Sequence, residues 1–398
     1  MSPSALLKGK HSVAVSLVLL LVIGLSFVII PHLPASAAQT AQTTDWRMFG
    51  FTPSHTHFNR YETTLSPANV SHLSKQWSTA TLPGGVDGTP IVVNGVVYVG
   101  TTEYGLFAFN AATGATLWQQ PFSSITSSPT LVNDVLYVNG GGLDALTPST
   151  GKVLWSNLSV GGGASSPVVV NGIVYIGTVS SSMVALNAKT GSLLWTASTF
   201  GAVDTSPTVS NGIVYVGSDS GSANNGIVYA FNATTGALIW SATTGGPVTS
   251  SPAVVNGILY VGSNDGALYA ANAKTGALLW SYQTGSPIHS SPGVANGIVY
   301  VGSDDGNLYA FNVKTGALLW KFTTQGTVTV PPTIANGVVY FGSWDQHIYA
   351  LNAKTGASLW SYQTTGSVQA SPIVVNGTLY LANDDDSSYH THLEAWHA

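Results

Sequence analysis

The chain has 398 residues, 44% of them hydrophobic and only 7% charged, with a formal net charge of −5. It contains no cysteine, which excludes disulfides, thiolate metal sites, cysteine nucleophiles and an acylated cysteine anchor. The absence of any basic run argues against nucleic acid as a partner, while 44 glycines with abundant Ser, Thr and Asn indicate many strands and many turns.

Residues 1–37 differ from all that follows. Lys8, Lys10 and His11 precede the apolar run Ser12–Ile30, and Ala35-Ser36-Ala37 comes after it. A basic start, an apolar middle and a small-residue site make a secretory signal. The run of 19 residues is close to the roughly 20 that cross a bilayer as one apolar helix, so the segment is either cleaved or kept as a membrane anchor. Either outcome exports the remainder to the periplasm, the cell surface or the medium. Cleavage after Ala37 removes two lysines and takes the net charge to −7. Residues 38–70 read as an exported leader. In it His55 and His57 stand two apart, a spacing that metal ligands also use.

From residue 71 to 398 the sequence is periodic. Trp118, Trp155, Trp195, Trp240, Trp280, Trp320 and Trp360 follow one another at intervals of 37, 40, 45, 40, 40 and 40 residues, each preceded by Thr-Gly. Asn-Gly recurs at 94, 171, 211, 256, 296, 336 and 376, with Asn133-Asp134 in one variant copy. Pro recurs at 90, 129, 167, 207, 252, 292, 332 and 372, usually as Ser-Pro. In the unit Ser290–Thr324, Asn296-Gly297, Asp305-Gly306 and Thr315-Gly316 are three tight turns. They predict four antiparallel strands: Pro292–Ala295, Ile298–Ser303, Asn307–Asn312 and Ala317–Thr323. Four-stranded units of about 40 residues build propeller blades.

Eight Asn-Gly-type landmarks meet only seven Thr-Gly…Trp phrases. Leu393–Ala398 aligns with Leu308–Val313 and stops short of a fourth strand, while Trp77 lies 41 residues before Trp118. The expected fold is therefore all-β, an eight-bladed propeller whose last blade is closed by the N-terminal strand around Trp77. One N-terminal apolar helix would precede it. Trp77 and the seven repeat tryptophans are expected to anchor each blade to the next, with Leu278, Trp280 and Tyr282 on one face of their strand. A monomer is expected.

The N-A-x-T-G-x-x-L-W phrase, the S-P-x-V-x-N-G-x-V-Y-V-G phrase and the entry Asp45–Trp77 resemble the PQQ-like β-propeller repeat proteins across residues 45–398. That family includes quinone-dependent alcohol and glucose dehydrogenases. It also includes non-catalytic scaffolds, such as the propeller of the outer-membrane β-barrel assembly machinery, which this chain resembles more than the enzymes. The dehydrogenases imply PQQ in the central funnel, often below a vicinal disulfide, with Ca²⁺ bound by Glu, Asn and Asp, and an Asp as base. Here there is no Cys-Cys pair, no Glu between Glu103 and Glu394, few basic residues and no long insertion between blades. No Ser-His-Asp order, phosphate-cradling loop or H-E-x-x-H is present either.

Acidic turns between the second and third strands offer candidate contacts at a channel face. They are Asp265, Asp304, Asp305 and Asp345, with Trp344 beside them, although Asp-Gly is also ordinary turn chemistry. The last blade carries Asp384, Asp385, Asp386, His390 and His392, an oxygen- and imidazole-rich stretch able to hold a metal or to form a solvated loop. The expected function is an exported, non-catalytic propeller with no cofactor, holding a protein or surface polymer and touching membrane only through its N-terminal segment where that segment is uncleaved. The alternative is a PQQ- and Ca²⁺-dependent alcohol or sugar dehydrogenase.

Overall fold

Eight sheets stand around one central channel, antiparallel except where Phe58–Asn59 joins Thr333–Ala335 in parallel. In this computed structural model the described residues are 44–219, 225–385 and 390–398. The apolar helix expected near the N-terminus lies outside them. No helix among the described residues is long and apolar enough to cross a membrane.

Blades 1 to 7 occupy residues 91–120, 130–157, 168–198, 208–244, 253–283, 293–323 and 333–363. Blade 8 takes its three inner strands from residues 373–397 and its outermost from Ser74–Ser78, where Trp77 pairs with Ala395 and Ser78 with Glu394. The N-terminal strand thus closes the ring, and the third strand of blade 8 is not left as a free terminal edge.

Blade 6 shows how the sequence dictates a unit. Its strands are Gly293–Ala295, Ile298–Gly302, Asn307–Asn312 and Leu318–Thr323, each within one residue of expectation at either end. Pro292 cannot donate to the ladder, so the first strand starts one residue later. Asn296 and Gly297 take φ of 49° and 83°, the pair of positive angles a two-residue hairpin demands. In the outer strands a β-bulge shifts the register after Ala270 and Ala310, so the strict alternation assumed for Leu278, Trp280 and Tyr282 fails. Trp280 and Tyr282 pack into the core between blades 5 and 6, whereas Leu278 stays 60% exposed.

The repeated phrase is an inter-blade latch. Asn272 Oδ1 accepts the N–H groups of Lys274 and Thr275, which sets the turn. Gly276 has φ +74°, and a Cβ there would lie 2.8 Å from Trp240 of the preceding blade. Trp240 Nε1 donates to the Ala273 carbonyl at 2.9 Å, and Trp280 Nε1 likewise to Val313 at 3.1 Å. Tyr260, its ring tilted against Trp280, donates its hydroxyl to the same Val313 carbonyl at 3.0 Å. The grafted strand reproduces the arrangement: Trp77 and Tyr380 both donate to Ala111, and Gly114 abuts the Trp77 ring.

The two faces of the ring differ. The Asn-Gly hairpins and the Thr-Gly turns share one face, because Ala273, Val313 and Ala353 donate their N–H groups to Gly257, Gly297 and Gly337. Residues 44–70, the leader, lie on this face. The inter-blade connections and the turns between second and third strands form the opposite face.

Candidate functional site: the central channel

The innermost strand of each blade runs from the mouth of the channel toward the leader, so residues at equal positions form rings. Two places before each Ser-Pro landmark stand Asp87, Thr126, Ala164, Asp204, Thr249, His289, Thr329 and Gln369. One layer deeper stand Ser128, Ser166, Ser206, Ser251, Ser291 and Ser371, with Thr89 and Pro331 in the other two blades. The serines form a belt. The N–H groups of Ser128, Ser166, Ser206 and Ser251 donate to the hydroxyls of Ser166, Ser206, Ser251 and Ser291, at 2.9–3.0 Å. Each hydroxyl is thereby fixed by the blade before it, and the belt satisfies N–H groups that face no ladder partner. Pro331 supplies no hydroxyl and interrupts it.

The far end of the channel is closed by the leader. Trp46 pairs with Val92 of blade 1. The carbonyls of Arg47, Pro53, Ser54, Thr56 and His57 accept N–H groups from Leu131, Val209, Val254, Val294 and Ile334, in blades 2, 4, 5, 6 and 7. Asn59 Nδ2 reaches the Val374 carbonyl of blade 8 at 2.8 Å. Phe49 then floors a cup of about 370 Å³ between the belt and the mouth. Its ring is held edge-on by His55 and His57, at centroid distances of 5.0 and 4.9 Å.

His55 and His57 are buried completely, and burial drives the pKa of each down to about 3. Both are neutral at physiological pH. His55 Nδ1 meets the Thr208 hydroxyl at 2.8 Å, while both nitrogens of His57 lack a hydrogen-bond partner among the described residues. No third ligand joins them: among the described residues no group of three His, Cys, Asp or Glu could hold a metal ion. Their ring contacts are with Phe49, which places them in the plug.

The candidate turn acids divide into two kinds. Asp265, Asp305 and Asp345 are held by their own turn and strand and by the inter-blade connection before them. Asp305 accepts from the Tyr309 hydroxyl, the Gly285 N–H and the Asn307 N–H, and Asp265 and Asp345 repeat the pattern with Tyr269 and Tyr349. Burial pushes the Asp305 carboxyl up, but these hydrogen bonds outweigh it and hold it below its ordinary value. Burial and the carboxylate partner together raise Tyr269 to about 12. Asp304 and Trp344 instead meet the mouth ring. Asp304 Oδ2 is 3.0 Å from His289 Nδ1, and Trp344 Nε1 donates to Thr329 Oγ1 at 3.0 Å with the ring 51% exposed.

In blade 8, Asp384 pairs with Thr391 and Asp385 with His390 along the backbone ladder. His392 Nδ1 lies 3.3 Å from the Thr79 carbonyl. Asp386 falls outside the described residues. The mouth residues Asp87, Asp204, His289 and Gln369 and the floor residue Phe49 were not singled out in the sequence. The available signal was a column two residues before each Ser-Pro, which only counts as a ring once the propeller is accepted.

Residues 139–223, 224–326 and 289–389 match the repeat family described as outer membrane protein assembly factor BamB. The chain belongs to the PQQ-like β-propeller repeat family. Residues 46–123 match the β-propeller domain of glucose, ethanol and alcohol dehydrogenases. The PQQ-like propeller is 29% identical over 161 residues to the quinohemoprotein alcohol dehydrogenase of Comamonas testosteroni, a stretch covering 35% of this chain and 23% of that enzyme. It resembles the structure of quinohemoprotein alcohol dehydrogenase ADHIIG from Pseudomonas putida HK5 with a TM-score of 0.76 at 17% identity, over 89% of this chain and 80% of that one. It resembles BamB from Moraxella catarrhalis with a TM-score of 0.61 at 20% identity, over 82% and 98%. These structural likenesses establish the fold. The expected leaning toward the assembly-machinery propeller is not carried by them, since scaffold and enzymes both appear.

Proposed function

We propose that this PQQ-like propeller is an exported, non-catalytic scaffold whose mouth face holds a protein or a surface polymer. The observation that carries the reading is the lining of the cup. PQQ is a tricarboxylate, and a site for it needs cationic donors and a carboxylate-bound Ca²⁺ to polarise the quinone. Among the described residues no Lys or Arg lines the cup, and the acids that do, Asp87 and Asp204, belong to blades 1 and 4. The nearest cation former, His289, is engaged by Asp304. An anionic quinone would therefore meet hydroxyls and like charge. The residues present do not fit the cofactor.

Export rests on the basic start, apolar run and A-x-A site of residues 1–37. The exposed Trp344 beside the ring of Asp, Thr, Gln and His side chains supports a contact surface, an amphipathic anchor amid polar groups. The second reading, a PQQ-dependent dehydrogenase, is favoured by the match of residues 46–123 to the dehydrogenase propeller. Equilibrium dialysis with PQQ and Ca²⁺, followed by absorbance and a dye-linked alcohol and glucose assay, separates the two. The scaffold reading expects no retained quinone and no turnover. One quinone per chain with turnover would reverse it.

A further inference from the structure

The charges of the propeller are sorted between its faces. The inter-blade connections and the turns between second and third strands hold Asp87, Glu103, Asp204, Asp265, Asp304, Asp305 and Asp345, and their sequence contains neither Lys nor Arg. The opposite, leader face holds Lys152, Lys189, Lys274, Lys314 and Lys354 in or beside the Thr-Gly turns, one in each of blades 2, 3, 5, 6 and 7, together with Arg60. All six are exposed. Acids on this face are few. Asp45 is paired with Arg47 at 2.6 Å, and Glu62 is buried with its carboxylate accepting the Thr64, Leu65 and Gly377 N–H groups, which leaves Asp134.

Distance keeps the faces electrically independent. Strands of six residues span about 20 Å, roughly twice the Debye length of about 8 Å at physiological salt. The net negative charge of the whole chain therefore does not cancel the positive field over the leader face. A groove of about 380 Å³ opens on the same face between blades 5 and 6, with Ile258, Tyr260 and Val294 in its walls and Arg60 and Lys314 at its edge. Neither cation forms an ion pair with a carboxylate among the described residues. Thr44, where the described chain begins, hydrogen-bonds Asn376 on this face, fourteen residues after the apolar run Ser12–Ile30.

We propose that the leader face docks on an anionic lipid surface, with the ring of lysines over the headgroups and the groove taking an anionic headgroup at Arg60 and Lys314. Lysines near an anionic bilayer act additively and are weakened by salt. Docking in this sense turns the acidic mouth away from the lipid, free for a partner.

The test is cosedimentation of the full chain with vesicles of phosphatidylcholine alone and with 30% phosphatidylglycerol. Any insertion of the N-terminal apolar segment is common to both, so their ratio isolates the electrostatic contact. A preference of about tenfold or more for the anionic vesicles is expected at 0.15 M salt, largely lost at 0.5 M. It should also be lost in the variant Lys189→Gln, Lys274→Gln, Lys314→Gln, Lys354→Gln, and kept in Asp304→Asn on the mouth face. All these side chains are exposed or half-exposed, and an unchanged thermal midpoint verifies folding. Equal binding to both vesicles, or a preference that survives the fourfold variant, would overturn the proposal. Binding to soluble polyphosphate without binding to vesicles would overturn it too, and assign the face to a free polyanion.

Discussion

Two glycines of blade 6 separate what a turn needs from what a neighbour needs. Gly297 has φ +83° with nothing within 4 Å of its missing Cβ, whereas at Gly316, with φ +70°, a Cβ would lie 2.6 Å from Trp280. Gly297→Ala should therefore lose only the left-handed backbone penalty, about 1–2 kcal/mol. Gly316→Ala should add displacement of the indole, about 1–3 kcal/mol more. Denaturant unfolding of the two variants measures the difference, and equal losses would mean that the glycine does not seat the preceding tryptophan. The phrase around Gly316 was legible as a turn from its letters alone. That its glycine and tryptophan belong to different latches was not, because the contact partner lies about 36 residues away in a neighbouring copy.

At the scale of elements, the leader behaves unlike the blades. It has no period, so nothing in residues 46–60 announced a path that crosses the channel and offers carbonyls to successive blades. The two histidines were visible, but their spacing suggested ligands and their place is a buried plug. Their burial makes the plug sensitive to acid. Each has a folded-state pKa near 3, below the unfolded value of 6.5, so the unfolded chain binds more protons between those values. The stabilisation is complete above pH 6.5 and is lost as the pH falls toward 3. By pH 5 each histidine should have cost about 2 kcal/mol. The variant His57→Asn, chosen because Asn tolerates a positive φ, should reduce the loss between pH 7 and 5 by about half. A wild-type stability that is flat over this range would contradict the neutral buried pair.

At the scale of the molecule, blade number and ring closure followed from counting landmarks, because a propeller repeats its turns at a fixed interval. The segregation of charge did not, since it depends on which turns share a face. At the seam between blades 7 and 8 the regular latch changes. Among the described residues the Tyr340 hydroxyl has no hydrogen-bond partner, and Trp360 meets Trp396 at 5.6 Å in place of a Thr-Gly turn. The leader's Leu65 and Val70, with Leu73 just before the closing strand, complete the core there. Lys75, on the closing strand, pairs with Glu394 at 2.7 Å and lies 5.3 Å from the Trp396 ring. Channel, mouth and faces all presuppose that closure. It can be tested without background in a chain that lacks cysteine, by placing one at Ser74→Cys and one at His397→Cys, which face each other in the ladder. Directly opposed residues of an antiparallel pair lie about 4.5–5.5 Å apart, within disulfide reach. Oxidation should give an intramolecular disulfide in a monomer, with stability raised by about 2–5 kcal/mol. Free thiols, or a disulfide only between chains, would show that Ser74–Ser78 does not close the eighth blade.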